Sequence, residues 1–340
     1  MTRCFARLWH EARFGDSYGV MVTAMDVLAD ALSAAGVRGT VAIRIDGGDD
    51  WGVTWARNAD AVLYAMATGT AWLTPDLPGG GGPIELLPGD VVLLPTGAAH
   101  SIADAAHRTP LACDLTLAEE SAHSGAPVRL GSGEPRTHLL GASYRHDRAV
   151  SLRVFDLLPP VVHIRGGRAN SGLDDTVRML ARETGDPQIA TTVVLDRLID
   201  VILVQLLRHW LRTHPDLTRG CWLGALADPL VTDAMTRMHQ RPDRPWTTDT
   251  LARDLAVSRS TLTRRFQDVT GQTPGAYLTQ WRMDLAARRL RDSDDSVETI
   301  ARSVGYASVH AFNRAFRRLR AQPPARFRHT IRHPTPSTED

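Results

Sequence analysis

Residues Thr299–Leu319 read TIARSVGYASVHAFNRAFRRL, and an earlier stretch, Thr250–Phe266, reads TLARDLAVSRSTLTRRF. Aligned from Ser258 and Ser308 onward, Leu262 matches Phe312, Arg264 matches Arg314 and Phe266 matches Phe316. Upstream, Leu251-Ala252-Arg253 matches Ile300-Ala301-Arg302, with one extra residue in the turn of the second copy. The chain writes one unit twice, and each copy reads as helix, tight turn, helix.

In the first copy Thr247 is placed to cap a helix holding Leu251, Ala252 and Leu255; Ala256-Val257 turns the chain, and Ser258 caps a second helix to about Val269. Leu262 and Phe266 stand four apart on the core face of that helix. Arg259, Ser260, Thr263, Arg264 and Gln267 then face outward. Gly271 stops the helix, and Thr273-Pro274 starts another, with proline where its missing N–H costs nothing. In the second copy Asp295-x-x-Glu298 predicts a capping box, Gly305 occupies the turn, Ser308 caps, and Phe312 and Phe316 turn inward. His310, Asn313, Arg314 and Arg317 are left outward.

Arginine and asparagine at an exposed helix N-terminus suit the major groove, where a fork to guanine or adenine discriminates by roughly 1–3 kcal/mol. Two such helices would read two successive groove segments, roughly 34 Å apart on one face of the duplex. Ala276–Leu290 reads as one long helix, a strut that sets the separation. Arg264 and Arg314 hold the same outward position in their copies, so both are assigned to base edges, whereas Arg265, Arg282, Arg317 and Arg318 are assigned to phosphates.

Charge agrees with a polyanionic partner at this end. All 39 basic residues are arginine, and residues 241–340 hold 18 of them against 11 acidic residues, although the whole chain is nearly neutral. The three cysteines, Cys4, Cys113 and Cys221, lie far apart without a CxxC, which encodes neither a disulfide framework nor a zinc ribbon and fits a reducing cytoplasm. The first 25 residues lack the apolar core of a signal peptide. The most apolar run, Val193–Leu211, is cut by Asp196, Arg197, Asp200, Gln205 and Arg208, so a soluble protein with no membrane partner is expected.

Five segments are expected. Residues 1–24 are an appended arm or a misassigned start, since Met25 offers another; 25–150 form a β-rich domain opened by a helix over 26–35 that ends at Gly36. From Thr40 to about Ala118, TVAIRI, WGVTW, AVLYAM, TAWL, IELL and VVLLP alternate with turn clusters, which argues a β-sandwich or small barrel. A loop-rich stretch follows, and residues 151–240 form a helical dimerisation and linker segment with helices near Leu173–Glu183 and Thr192–Arg212. The apolar stripe of the second helix is wider than one core face requires, which makes 193–212 the candidate homodimer helix. A Pro-bearing hinge, Arg241–Pro245, precedes the repeats of 241–330, and 331–340 is a tail.

The repeats resemble the AraC/XylS family of bacterial transcription regulators. In the first copy and strut the likeness is carried by Trp246, Leu251-Ala252, Ser258, Leu262, Arg265-Phe266, Gly271, Pro274, Tyr277-Leu278, Trp281-Arg282, Ala286 and Leu290. In the second it is carried by Ile300-Ala301, Gly305-Tyr306, Ser308, Phe312, Ala315-Phe316, Pro323 and Phe327-Arg328. The resemblance implies base contacts at Ser260, Thr263 and Arg264 in the first reading helix and at Val309, His310, Asn313 and Arg314 in the second; Arg259 joins them as an outward residue. One departure is Ala321, where the family usually has glycine.

Gly89–Asp104, GDVVLLPTGAAHSIAD, resembles the second cupin motif. It implies a double-stranded β-barrel, hence an α+β chain of a cupin-like β-barrel plus helices followed by an all-α double helix-turn-helix domain. The histidines and glutamate of the first cupin motif are missing around AVLYAMATG, where Tyr64 and Met66 stand, and His100 alone supplies one of the three or four ligands a metal needs. No metal, cofactor or catalysis is therefore expected, and a cupin enzyme with an attached DNA-binding domain is the weaker alternative. The expected protein is an effector-responsive regulator that binds double-stranded promoter DNA, and RNA polymerase if it activates. Trp51, Trp55, Tyr64, Trp72 and His100 are candidate walls for an unknown small-molecule effector, and Cys113 is the candidate for a redox-sensing alternative.

Overall fold

A computed structural model describes residues 27–112, 121, 126–145, 154–167, 171–214 and 220–332. Residues 1–24 and Cys113, with the readings placed on them, lie outside these. The chain divides into two compact units, a β-rich one within 36–215 and a helical one formed by 220–332 together with residues 27–35.

The β-rich unit holds β1 (Arg38–Asp49), β2 (Gly52–Trp55), β3 (Ala61–Thr68), β4 (Ala71–Pro75), β5 (Ile84–Leu86), β6 (Val91–Leu94), β7 (His100–Ala103), β8 (Leu111–Ala112), β9 (Val128–Leu130), β10 (Ser132–Arg145) and β11 (Val162–Ile164). They form two sheets, one in the order β11-β6-β3-β10-β1-β9 and the other in the order β5-β4-β7-β2-β8. Ile43, Ile45, Tyr64, Met66, Val92 and Leu94 of the first face Val53, Leu73, Leu86 and Ile102 of the second across one core.

This corrects the expected barrel. Neither sheet closes on itself or on the other among the described residues: one ends at β11 and β9, the other at β5 and β8. A closed barrel requires a hydrogen-bonded ladder around its whole circumference. Here the second sheet is built of strands of two to five residues, and β8, only Leu111–Ala112, pairs with β2 alone. The result is an open sandwich, with a long β10 crossing what the sequence reads as loop.

Strand β3 is buried on both faces. Val62, Tyr64 and Met66 enter the sandwich, while Ala61, Leu63 and Ala65 turn outward under a helical layer and are equally buried. That layer, with helices labelled after α1 (residues 27–34), is α2 (Ser171–Gly185) and α3 (Thr191–Thr213). α3 packs on β1 and α2. Two of the acidic residues that interrupt its apolar run have backbone partners: Asp200 accepts from Gly39 N at 3.1 Å and Asp196 from Val41 N at 3.2 Å. A Cβ on Gly39 would come within 2.6 Å of the Tyr144 ring and 2.7 Å of Ile199, so glycine is what lets helix and strand approach.

The helical unit continues with α4 (Pro229–Gln240), α5 (Thr248–Asp254), α6 (Arg259–Thr270), α7 (Pro274–Asp292), α8 (Val297–Ser303), α9 (Val309–Arg320) and α10 (Pro324–Arg332). Thr247, Ser258, Thr273 and Ser308 each cap their helix by accepting a backbone N–H, and Gly271 ends α6 in left-handed backbone at φ 73°. One cap differs from expectation. Ser296, not Asp295, caps α8 by accepting from Thr299 N at 3.0 Å, because Asp295 is drawn into an ion pair with Arg289 at 3.2 Å. The second copy packs Ile300, Ala301, Phe312 and Phe316 against Met283, Ala286, Ala287 and Leu290 of α7. A buried Asp284–Arg320 ion pair adds a polar tie between α7 and the end of α9.

Candidate nucleic-acid interface

In α6, Leu262 and Phe266 are fully buried, and the opposite face presents Arg259, Ser260, Thr263, Arg264 and Gln267, which together with Asp268 line one shallow concavity. In α9, Phe312 and Phe316 are fully buried, while His310, Arg314, Arg317 and Arg318 are exposed and Val309 and Asn313 are half-buried. Neither helix carries an acidic residue in its first turn. The partial positive charge of each N-terminus is thus left for an anion to meet.

The arginines divide by what they touch. Arg259 donates to Asp249 of α5 at 3.2 Å, at the edge of the reading face. Arg265 donates through Nε to Asp228, the N-cap of α4, at 2.5 Å. Arg282 turns away from solvent: Nε donates to the Pro242 carbonyl and Nη2 to that of Arg244, both at 2.8 Å, and burial lowers its pKa. The expected hinge at 241–245 is therefore clamped to α7. Gly305, at φ 84°, leaves no room for a Cβ, which would fall 2.6 Å from Arg282 Nη2 and 2.7 Å from the Pro242 carbonyl oxygen. Arg282 ties the approach to the first copy to the turn of the second, a role visible in the sequence only as a Trp-Arg pair.

In the β-rich unit His100 is buried and hydrogen-bonded at both ring nitrogens, Nδ1 to the Ala98 carbonyl at 2.7 Å and Nε2 to the Tyr64 hydroxyl at 2.7 Å. Burial lowers its pKa against the raising effect of Ala98. The neutral ring donates from Nδ1 and accepts from Tyr64, with Trp55 stacked at 5.3 Å. Both nitrogens are committed. Among the described residues no group of three His, Cys, Asp or Glu side chains is placed to hold a metal.

Of the other candidate wall residues, Trp51 reaches a separate space. A cleft of about 780 Å³ opens between β1 and β9 of one sheet and β2 and β8 of the other, lined by Ile43, Trp51, Val53, Leu111, Val128 and Leu130. It lies where the two sheets fail to join. Trp72 alternates with the buried core residues Ala71 and Leu73 and so faces away from both groups. No described helix is long and apolar enough to cross a membrane.

A cupin family profile matches residues 26–212 and a helix-turn-helix domain profile matches 251–330. An AraC-like transcription regulator of Streptomyces lividans is 34% identical over 315 residues, 92% of this chain and 99% of the relative. The chain belongs to the AraC/XylS family of transcription regulators. A second AraC-like regulator, from Streptomyces antibioticus, is 33% identical over 92% of this chain and its whole length. Among solved structures, the DNA-binding domain of AdpA in complex with a target DNA is 33% identical over 32% of this chain and 98% of that one, with a TM-score of 0.30. This AraC-type chain thus joins a cupin-family domain to a DNA-binding helix-turn-helix region.

Proposed function

We propose that this regulator reads promoter DNA through α6 and α9 together, with Arg259, Ser260, Thr263 and Arg264 on one groove segment and Val309, His310, Asn313 and Arg314 on the next. The observation that carries it is the matched exposure of Arg264 and Arg314 on helices whose opposite faces are fully buried, with α7 packed against both copies. Arg317 and Arg318 take phosphates; Arg265 and Arg282, held by Asp228 and by two carbonyls, contribute through the position of what they hold. Duplexes selected from a random pool by the full chain supply the test. Arg314→Ala should relax selectivity at one base position at a cost of about 1–3 kcal/mol, and Arg318→Ala should weaken binding to every sequence and lower the salt slope by about one. Equal, sequence-blind losses from both contradict the assignment.

The cleft between the open sheet edges is the effector site in this reading. Its size suits a small molecule, and its lining joins apolar side chains to the polar Asp50, His107 and Arg108. Leu111→Arg, at a cleft residue that is 77% exposed, should abolish the response to inducer while leaving DNA binding intact; an unchanged response moves the effector elsewhere. Dimerisation through α3 completes the proposal, since that helix keeps Val193, Val194 and Val201 exposed while its other face is buried. An activating role would bring RNA polymerase to the bound complex.

A further inference from the structure

Helix α1 immediately precedes β1 in sequence, yet it belongs to the helical unit. Val27, Leu28, Ala31, Leu32, Ala34 and Ala35 are all buried. Its polar contacts fall on two elements. Asp30 accepts from Nδ1 of His239, on α4, at 3.1 Å, and Ser33, one turn on, accepts from Nη1 of Arg288, on α7, at 3.0 Å.

His239 is the centre of a relay. Its side chain is wholly buried, its Nε2 lies 2.7 Å from the Tyr277 hydroxyl, and its ring stacks on Trp281 at 3.7 Å. Burial lowers the pKa of His239 and raises that of Tyr277 well above its ordinary value. The imidazole is therefore neutral and the phenol protonated, which orders the chain: Tyr277 donates to Nε2, and Nδ1–H donates to Asp30. Tyr277 also meets Phe266 of the first copy edge-on at 5.7 Å. Further along α7, Met283, Ala286 and Leu290 carry the second copy, and Arg288 lies in that half. Asp30, acting through His239, and Ser33 thus reach the two halves of α7 that serve different copies.

We propose that α1 is a splint on this strut: the Asp30–His239–Tyr277 chain positions α7, and so keeps the two reading helices at the separation at which both engage DNA at once. This rests on the two-helix reading of DNA proposed above. Arg264 and Arg314 stay exposed with α1 docked, so among the described residues α1 leaves the reading faces free. Only Ala35, Gly36 and Val37 separate α1 from β1, so a short covalent link joins the splint to the β-rich unit.

The test uses the full chain with Asp30→Ala and Asp30→Asn, a duplex selected from a random pool, and the same duplex with one of its two recognised segments scrambled. Asp30 is 45% exposed, and melting curves that match the parent establish that both variants keep the fold. Asp30→Ala should weaken binding to the intact duplex by about tenfold or more and change binding to the scrambled one by less than about twofold, because it removes only the advantage of joint engagement. Asp30→Asn, which can still accept from Nδ1–H, should bind as the parent does. Equal loss on both duplexes, no loss on either, or an Asp30→Asn variant that behaves like Asp30→Ala overturns the proposal. If the parent chain selects no duplex, the DNA reading itself fails.

Discussion

Ala256 and Ala321 hold left-handed backbone, at φ 54° and 58°, that Gly305 and Gly271 hold at the matching turns of the other copy. An L-residue in that region costs roughly 1–2 kcal/mol, and glycine gives part of it back through a freer unfolded chain. Ala321→Gly should therefore raise stability by about 0.5–1 kcal/mol, read as a higher denaturant midpoint of the helical unit at unchanged slope. A lower midpoint would mean that the turn is not strained. Ala321 was legible in the sequence as a departure from the family pattern, and the backbone absorbs it without changing the turn. Other residues were not legible. Nothing in the local spacing says that Arg282 turns toward two carbonyls, or that Asp295 prefers Arg289 to a helix cap, because both choices depend on partners brought near by tertiary packing.

At the level of elements, the helices of the repeats were read to within a few residues, since caps, proline and the four-residue spacing of apolar side chains act locally. Strand β10 is not legible in the sequence. Its first half, SGEPR, is exposed and carries glycine and proline, and its apolar stretch begins only at Leu139, so alternation is hidden until β1 and β3 pair with it. The expected barrel rests on strand spacing, which equally allows a sandwich, and on a motif; neither counts the residues available for closing ladders. Helix α3 keeps Val193, Val194 and Val201 exposed at 59%, 39% and 44%. A charge there should break a dimer without harming the fold, because the buried face against β1 is untouched. Sedimentation of Val201→Asp is expected to give a monomer from a dimeric parent; two species of equal mass would remove α3 from the interface.

The whole molecule combines a nearly neutral chain with an arginine-rich final third, in which exposed arginines lie on the outward faces of α6 and α9. In the proposed reading that charge supplies affinity and salt dependence, and selectivity comes from joint engagement of both helices. A flexible link would let either helix bind alone. Under the proposal, a strut packed against both copies, clamped by Arg282 and flanked by α1, makes binding depend on the spacing of two sites in the duplex. Protection of guanine N7 against methylation, mapped on a selected duplex, tests this most directly. Two protected major-groove clusters about 10 base pairs apart on one face are predicted. A single cluster, or two on opposite faces of the duplex, would contradict the account.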